Sequence, residues 1–130
     1  MKTKDIHQTI IFKASPHEVY EALMYSKLHA KFTGAPAKIS REVGGKFTAY
    51  GDYIDGENLE LVPDKKVVQK WRGNEWPQGH YSVITFSLTQ IKEGTRLDFK
   101  QTSVPEEHVE HIRQGWIEHY WDKMKKTFEW

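Results

Sequence analysis

No cysteine occurs among the 130 residues. Its absence removes disulfides, thiol nucleophiles and cysteine-type zinc sites together, and it fits a reducing compartment. An excess of one charge is missing too: 19 basic residues stand against 18 acidic ones, a formal net charge of +1. So even a balance creates no global field to gather nucleic acid or an anionic membrane. No segment approaches the roughly 20 consecutive apolar residues of a membrane span. The opening Met1-Lys2-Thr3-Lys4-Asp5 leads into no apolar stretch of signal-peptide length, so the cytoplasm is the expected location. Catalytic signatures are lacking as well. There is no phosphate loop, no Gly-x-Ser-x-Gly elbow and no His-Glu-x-x-His. No pair of carboxylates sits inside an apolar run where burial would raise a pKa. The chain is expected to bind rather than to catalyse, with no cofactor and no metal.

What is present is aromatic mass. Trp, Tyr and Phe make up 13% of a chain that is 38% hydrophobic. Rings of this kind bury large areas each, so a core forms despite the polar average, and one domain over residues 1–130 is expected. Ile6, Ile10 and Phe12 recur at period two and predict a strand over 6–13, with Gln8 interrupting its apolar face. Ser15-Pro16-His17-Glu18 predicts a helix start: Ser15 caps, Pro16 suits the first turn and Glu18 closes a capping box. Val19, Ala22 and Leu23 give that helix its stripe. A second short helix starts at Ser26, runs through Leu28 and Phe32, and ends at Gly34-Ala35-Pro36.

Strands then follow one another over 46–50, 53–62, 67–72, 80–90 and 95–102. Gly56 inside the second of these marks a bulge or a close backbone approach. The short connections favour antiparallel pairing, because parallel pairing needs long crossovers. The chain closes with a helix over 105–128. Ser103 and Glu106 have capping-box spacing. Val109, Ile112, Trp116, Tyr120 and Met124 recur every three or four residues, widened by Ile117, Trp121 and Phe128. Such a helix is about 36 Å long, enough to cross a small sheet. Strand, two short helices, a run of strands and a long helix add up to an α+β class. If the sheet curves around the last helix, the architecture is a helix-grip fold.

Several segments carry a family resemblance. They are Gly44-Gly45-Lys46-Phe47, the run from Glu60 through Val62-Pro63-Asp64 to Trp71-Arg72, Trp76-Pro77-Gln78-Gly79-His80, Val104-Pro105, and Gln114-Gly115-Trp116 with Tyr120 and Phe128. Together they resemble the C-terminal domain of the activator of heat-shock protein 90 ATPase, a branch of the START-like (SRPBCC) superfamily, over nearly the whole chain. The resemblance implies a curved antiparallel sheet gripping the long helix, often with a cavity between. It also implies docking onto a heat-shock protein 90 type chaperone as a co-chaperone. In the two-domain co-chaperones a separate N-terminal domain makes the main contact, and these 130 residues lack it. Asn58 stands where the family pattern suggests an aromatic.

Two further readings attach to the same fold: a carrier or sensor of a small hydrophobic ligand in the cavity, and a START-like cyclase or hydratase. The last needs an inward-facing His, Asp or Glu with a hydrogen-bonded partner. Candidate cavity residues are Trp71, Tyr81, Phe99, Trp116 and Tyr120, which serve equally well as plain core. Candidate partner-binding residues are Lys66, Lys70 and Arg72, on one strand face by alternation, and Trp76, either an exposed loop anchor or a lid folded back on the sheet. His108, His111 and His119 fall on the polar side of the last helix, and with His17 and His29 they are expected to be solvated.

Overall fold

The computed structural model describes residues 2–128. Seven strands form one antiparallel sheet: β1 (Thr3–Phe12), β2 (Ala37–Ile39), β3 (Lys46–Ala49), β4 (Ile54–Val62), β5 (Lys66–Gly73), β6 (Ser82–Ile91) and β7 (Gly94–Pro105), in the order β1-β7-β6-β5-β4-β3-β2. Two helices, α1 (Pro16–Met24) and α2 (Ser26–Thr33), carry the chain from one edge of the sheet to the other. The sheet curves around a closing helix over 109–128, which gives the α+β helix-grip architecture. Burial alternates along the central strands. On β5 Val67, Gln69 and Trp71 face inward, on β6 Ser82, Ile84, Phe86 and Leu88, and on β7 Thr95, Leu97, Phe99 and Gln101. Register shifts at Lys4/Ile6 and Asn58/Glu60 mark bulges, which bend strands and sharpen their twist.

The predicted capping box at α1 forms: the Ser15 hydroxyl accepts from the Glu18 N–H, and the Glu18 carboxylate accepts from the Ser15 N–H. Gly34, at φ +75°, closes α2 in the left-handed conformation. The buried face of α2 is not the expected one. His29, Phe32 and Thr33 are inside, while Leu28 is exposed.

Gly56 is a close approach. A Cβ there would lie 1.9 Å from the Lys70 carbonyl oxygen and 2.6 Å from the Phe47 ring, which crosses over the glycine from the neighbouring strand. The bulge sits elsewhere on β4, at Leu59.

The end of the sheet corrects one expectation. Ser103 caps no helix, because β1 begins at Thr3 and pairs with β7 as far as Pro105, so residue 103 still belongs to the sheet. Its backbone, at φ +64°, donates to Asp5 Oδ1 and its carbonyl accepts from His80. Glu106 instead pairs with Lys4. A 3₁₀ turn (Glu106–His108) then leads into α3 (Val109–Trp116), a π-helical turn (Ile117–Trp121) and α4 (Asp122–Phe128). The single regular helix of the sequence reading is thus interrupted at the point where its aromatic residues are densest.

Candidate functional site: an aromatic cleft under the closing helix

Gln101 is buried on β7 and sets the position of Trp116. The Trp116 indole donates to Gln101 Oε1 (2.7 Å), the Gln101 amide donates to the Ser82 hydroxyl (2.9 Å), and that hydroxyl donates to the Trp71 carbonyl (3.0 Å). Each group is buried and partnered, as interior polar groups must be. The relay fixes one wall, since Trp71 and Trp116 lie with ring centroids 5.6 Å apart. A second wall comes from the turn between β3 and β4. There the Tyr50 hydroxyl donates to the His119 carbonyl in the π turn (2.7 Å). Between the walls opens a cleft of about 230 Å³, lined by Tyr50, Tyr53, Ile54, Trp71, Ile112, Gly115, Trp116 and Tyr120, with His111 and His119 at the closing helix.

That volume falls short of the roughly 300–1,000 Å³ of a pocket enclosing a drug-sized molecule, so an occupant has to be small. The lining holds no Lys, Arg, Asp or Glu. Its polar groups are phenols, indoles and imidazoles. Burial pushes the Tyr50 hydroxyl up to about 12. Burial, and then Tyr50, pushes Tyr120 upward too. Both phenols therefore keep their protons at neutral pH, and Tyr50 uses its own to donate to the His119 carbonyl.

Trp71, Trp116 and Tyr120 also border a second void of about 20 Å³, together with His29 and Gln69. Only 4% of His29 is exposed. Its ring meets Phe32 and Tyr120 edge-on, at 5.0 and 5.3 Å. Its Nδ1 has no hydrogen-bond partner among the described residues. Burial without a compensating charge lowers its pKa to about 4, so the imidazole is neutral. His29 thus faces inward, but no partner holds its Nδ1 in the way an acid–base role requires. No cluster of three metal-ligating side chains occurs among the described residues.

Of the five candidate cavity residues, the structure brings Trp71, Trp116 and Tyr120 to the cleft. Phe99 and Tyr81 are not part of its lining. Phe99 is fully buried behind Trp116, at 4.4 Å between ring centroids, and belongs to the packed core. Tyr81 lies on the outer side of the sheet, where its hydroxyl donates to Asp55 and Lys70 sits over its ring. Trp76 is not an exposed anchor: only 3% of it is accessible, and it folds onto Trp71 at 5.4 Å. Arg72 holds that loop down by donating to the Trp76 and Pro77 carbonyls. Lys66, Lys70 and Arg72 do share the outer face, each half-buried and with a partner of its own, since Lys66 pairs with Glu60.

Tyr50, Tyr53, His111 and His119 were not foreseen as cleft residues, and His29 was expected in solvent. Two tyrosines flanking the Gly51-Asp52 turn were the available signal.

Asn58, the departure from the family pattern, is fully buried. Its amide donates to the Ser40 and Glu42 carbonyls, at 2.7 and 3.0 Å, and its Oδ1 accepts from Gln69. Its backbone exchanges bonds with Gly44 and Gly45. The glycine pair follows from this latch. Gly44 has φ +82°, and a Cβ on Gly45 would lie 1.9 Å from the Ser40 hydroxyl.

A curved antiparallel sheet closed by a long helix, with an aromatic cleft between them, defines a START-like helix-grip protein. The family described as "Activator of Hsp90 ATPase homolog 1-like protein" matches residues 13–129, and the chain belongs to it. Among relatives, the human activator of 90 kDa heat shock protein ATPase homolog 1 is 37% identical over 117 residues, covering 90% of this chain and 35% of that protein. The homologue from Dictyostelium discoideum is 36% identical over 130 residues, covering 98% and 34%. This chain thus spans about a third of the length of these relatives. Among solved structures, an HSP90 activator from Plasmodium falciparum superposes with a TM-score of 0.89 at 22% identity, covering 95% of this chain and 94% of that one. No helix among the described residues is long and apolar enough to cross a membrane.

Proposed function

We propose that this chain is a co-chaperone module that docks onto a heat-shock protein 90 type chaperone in the cytoplasm and raises its ATPase rate. Family membership over residues 13–129 carries the proposal, since the relatives in that family are named as activators of that ATPase. On the outer sheet face Arg72 and Lys70 stand across from Asp55 and Glu57, and Lys66 pairs with Glu60, so that face presents both signs of charge and contributes orientation rather than a basic field. The test is the ATPase rate of the host's heat-shock protein 90 at increasing concentrations of this protein, with binding measured in parallel. A saturable increase is expected. Absence of binding at tens of micromolar would overturn the proposal.

A further inference from the structure

We propose that the aromatic cleft binds a trimethylammonium group; this is independent of the chaperone reading. Tyr50, Tyr53, Trp71, Trp116 and Tyr120 all contribute to its lining. Where four of these rings touch they are inclined rather than stacked: 40° between Trp71 and Trp116, 45° between Trp116 and Tyr120, and 67° between Tyr50 and Tyr120. Inclined rings form the walls of a box, whereas parallel ones form a slot for a flat guest. The face of each ring is its electron-rich side, and a cation within about 6 Å of a ring centroid is attracted to it.

The charges around the cleft point the same way. No Lys or Arg lines it. Two cations of the closing helix are engaged elsewhere, Arg113 with Glu110 and Lys123 on the Thr33 carbonyl. Carboxylates flank the tyrosines of the lining. Asp52 is exposed in the turn between the two tyrosines, and Glu75 lies close enough to Tyr53 to help raise its pKa after burial.

The lining also selects the kind of cation. It offers no carboxylate, so a primary ammonium entering it would lose its hydration without a charged acceptor in return, a large cost. Methyl groups remove most of that hydration beforehand and present a diffuse positive surface to the rings. An anion would meet no Lys, no Arg and no helix start in the lining. The size also fits: an apolar cavity of about 150 Å³ is enough to hold benzene, and this cleft holds about 230 Å³.

The experiment titrates choline, its uncharged carbon isostere 3,3-dimethylbutan-1-ol, and trimethyllysine into the intact chain. Indole N–H resonances and calorimetry report binding. Choline is expected to shift the Trp71 and Trp116 indole signals saturably and to bind about tenfold more tightly than the isostere, within the range of desolvated cation–π contacts. Tyr53→Leu, at a half-buried site, should weaken choline about two- to fivefold, with the unfolding midpoint measured alongside to show that the chain is folded. Glu75→Gln should weaken choline and leave the isostere unchanged. Trimethyllysine binding more tightly than choline would identify a protein side chain as the source of the group, and the reverse a free metabolite. The proposal is overturned if the isostere binds as well as choline, or if no indole signal moves at tens of millimolar.

Discussion

Trp116 and Trp121 are five residues apart in the chain, yet they stack, with ring centroids 5.5 Å apart and planes 19° from parallel. An α-helix places residues three and four apart on one face; a π turn, closed by i→i+5 bonds, brings i and i+5 together. The turn over Ile117–Trp121 therefore allows Trp116 to bond Gln101 while Trp121 bonds Gln8, on different strands.

The Trp121–Gln8 pair explains why a polar residue interrupts the apolar face of β1. Gln8 Oε1 accepts from the Trp121 indole at 2.6 Å, and its amide donates to the Arg113 carbonyl at 3.1 Å. Trp121→Phe keeps a ring in the stack but strands Gln8 Oε1, and should cost about 1–3 kcal/mol. Adding Gln8→Leu removes the stranded acceptor, so the double variant should lose less than the sum of the singles. Urea midpoints of the four proteins check this; strict additivity would mean that the bond contributes nothing.

His29 makes stability depend on pH. Its pKa is about 4 when folded against 6.5 for an unperturbed imidazole. The unfolded chain therefore takes up a proton that the folded one refuses. Above pH 6.5 both states are neutral there and stability is unaffected. Between pH 6.5 and about 4 the unfolded state gains, and stability falls as pH falls. The full loss is of order 3 kcal/mol, at 1.36 kcal/mol per unit. His29→Phe preserves the edge contacts with Phe32 and Tyr120 and removes the titration. The difference between the two proteins' stabilities across this window isolates His29 from the carboxylates, and a constant difference would refute the assignment.

Asn58 is the latch of the segment before β3. Asn58→Leu keeps the branching and heavy-atom count, though with bulkier methyl ends, and abandons the Ser40 and Glu42 carbonyls and the Gln69 amide. The expected cost is about 2–4 kcal/mol, in the range for breaking a buried network. Hydrogen exchange should show the loss first at Gly44, whose N–H bonds the Asn58 carbonyl. A uniform loss of protection across the sheet would argue against a local latch.

Periodicity made the architecture legible, because it reports which face is buried. The alternation of Ile84, Phe86 and Leu88, and the Val109–Ile112–Trp116–Tyr120 stripe, are both found as read. The cleft was only partly legible, since an apolar face packed solid and one bordering space have the same pattern: Phe99 and Trp116 touch, yet only Trp116 lines the cleft. Trp76 is inside because Arg72 binds its loop backbone, a contact that hydropathy does not encode. His29 replaces Leu28 on the buried face because the rings of Phe32 and Tyr120 take its edge. Such choices between adjacent helix positions are made by the partner surface, which a single helix does not reveal.

Gly115 separates the needs of the helix from those of the cleft. Mid-helix glycine costs roughly 1 kcal/mol relative to alanine. Here a Cβ would meet nothing nearer than the His119 ring at 3.9 Å, ordinary van der Waals contact, so packing does not require glycine. Gly115 does line the cleft. Gly115→Ala should therefore raise stability by about 0.5–1 kcal/mol, while Gly115→Leu should place a larger side chain in the cleft and weaken choline strongly. Thermal or urea unfolding gives the first quantity and the choline titration the second. If alanine destabilises, the glycine serves a backbone geometry after all; if leucine binds choline as well as the parent chain does, the guest site is not under this turn of the helix.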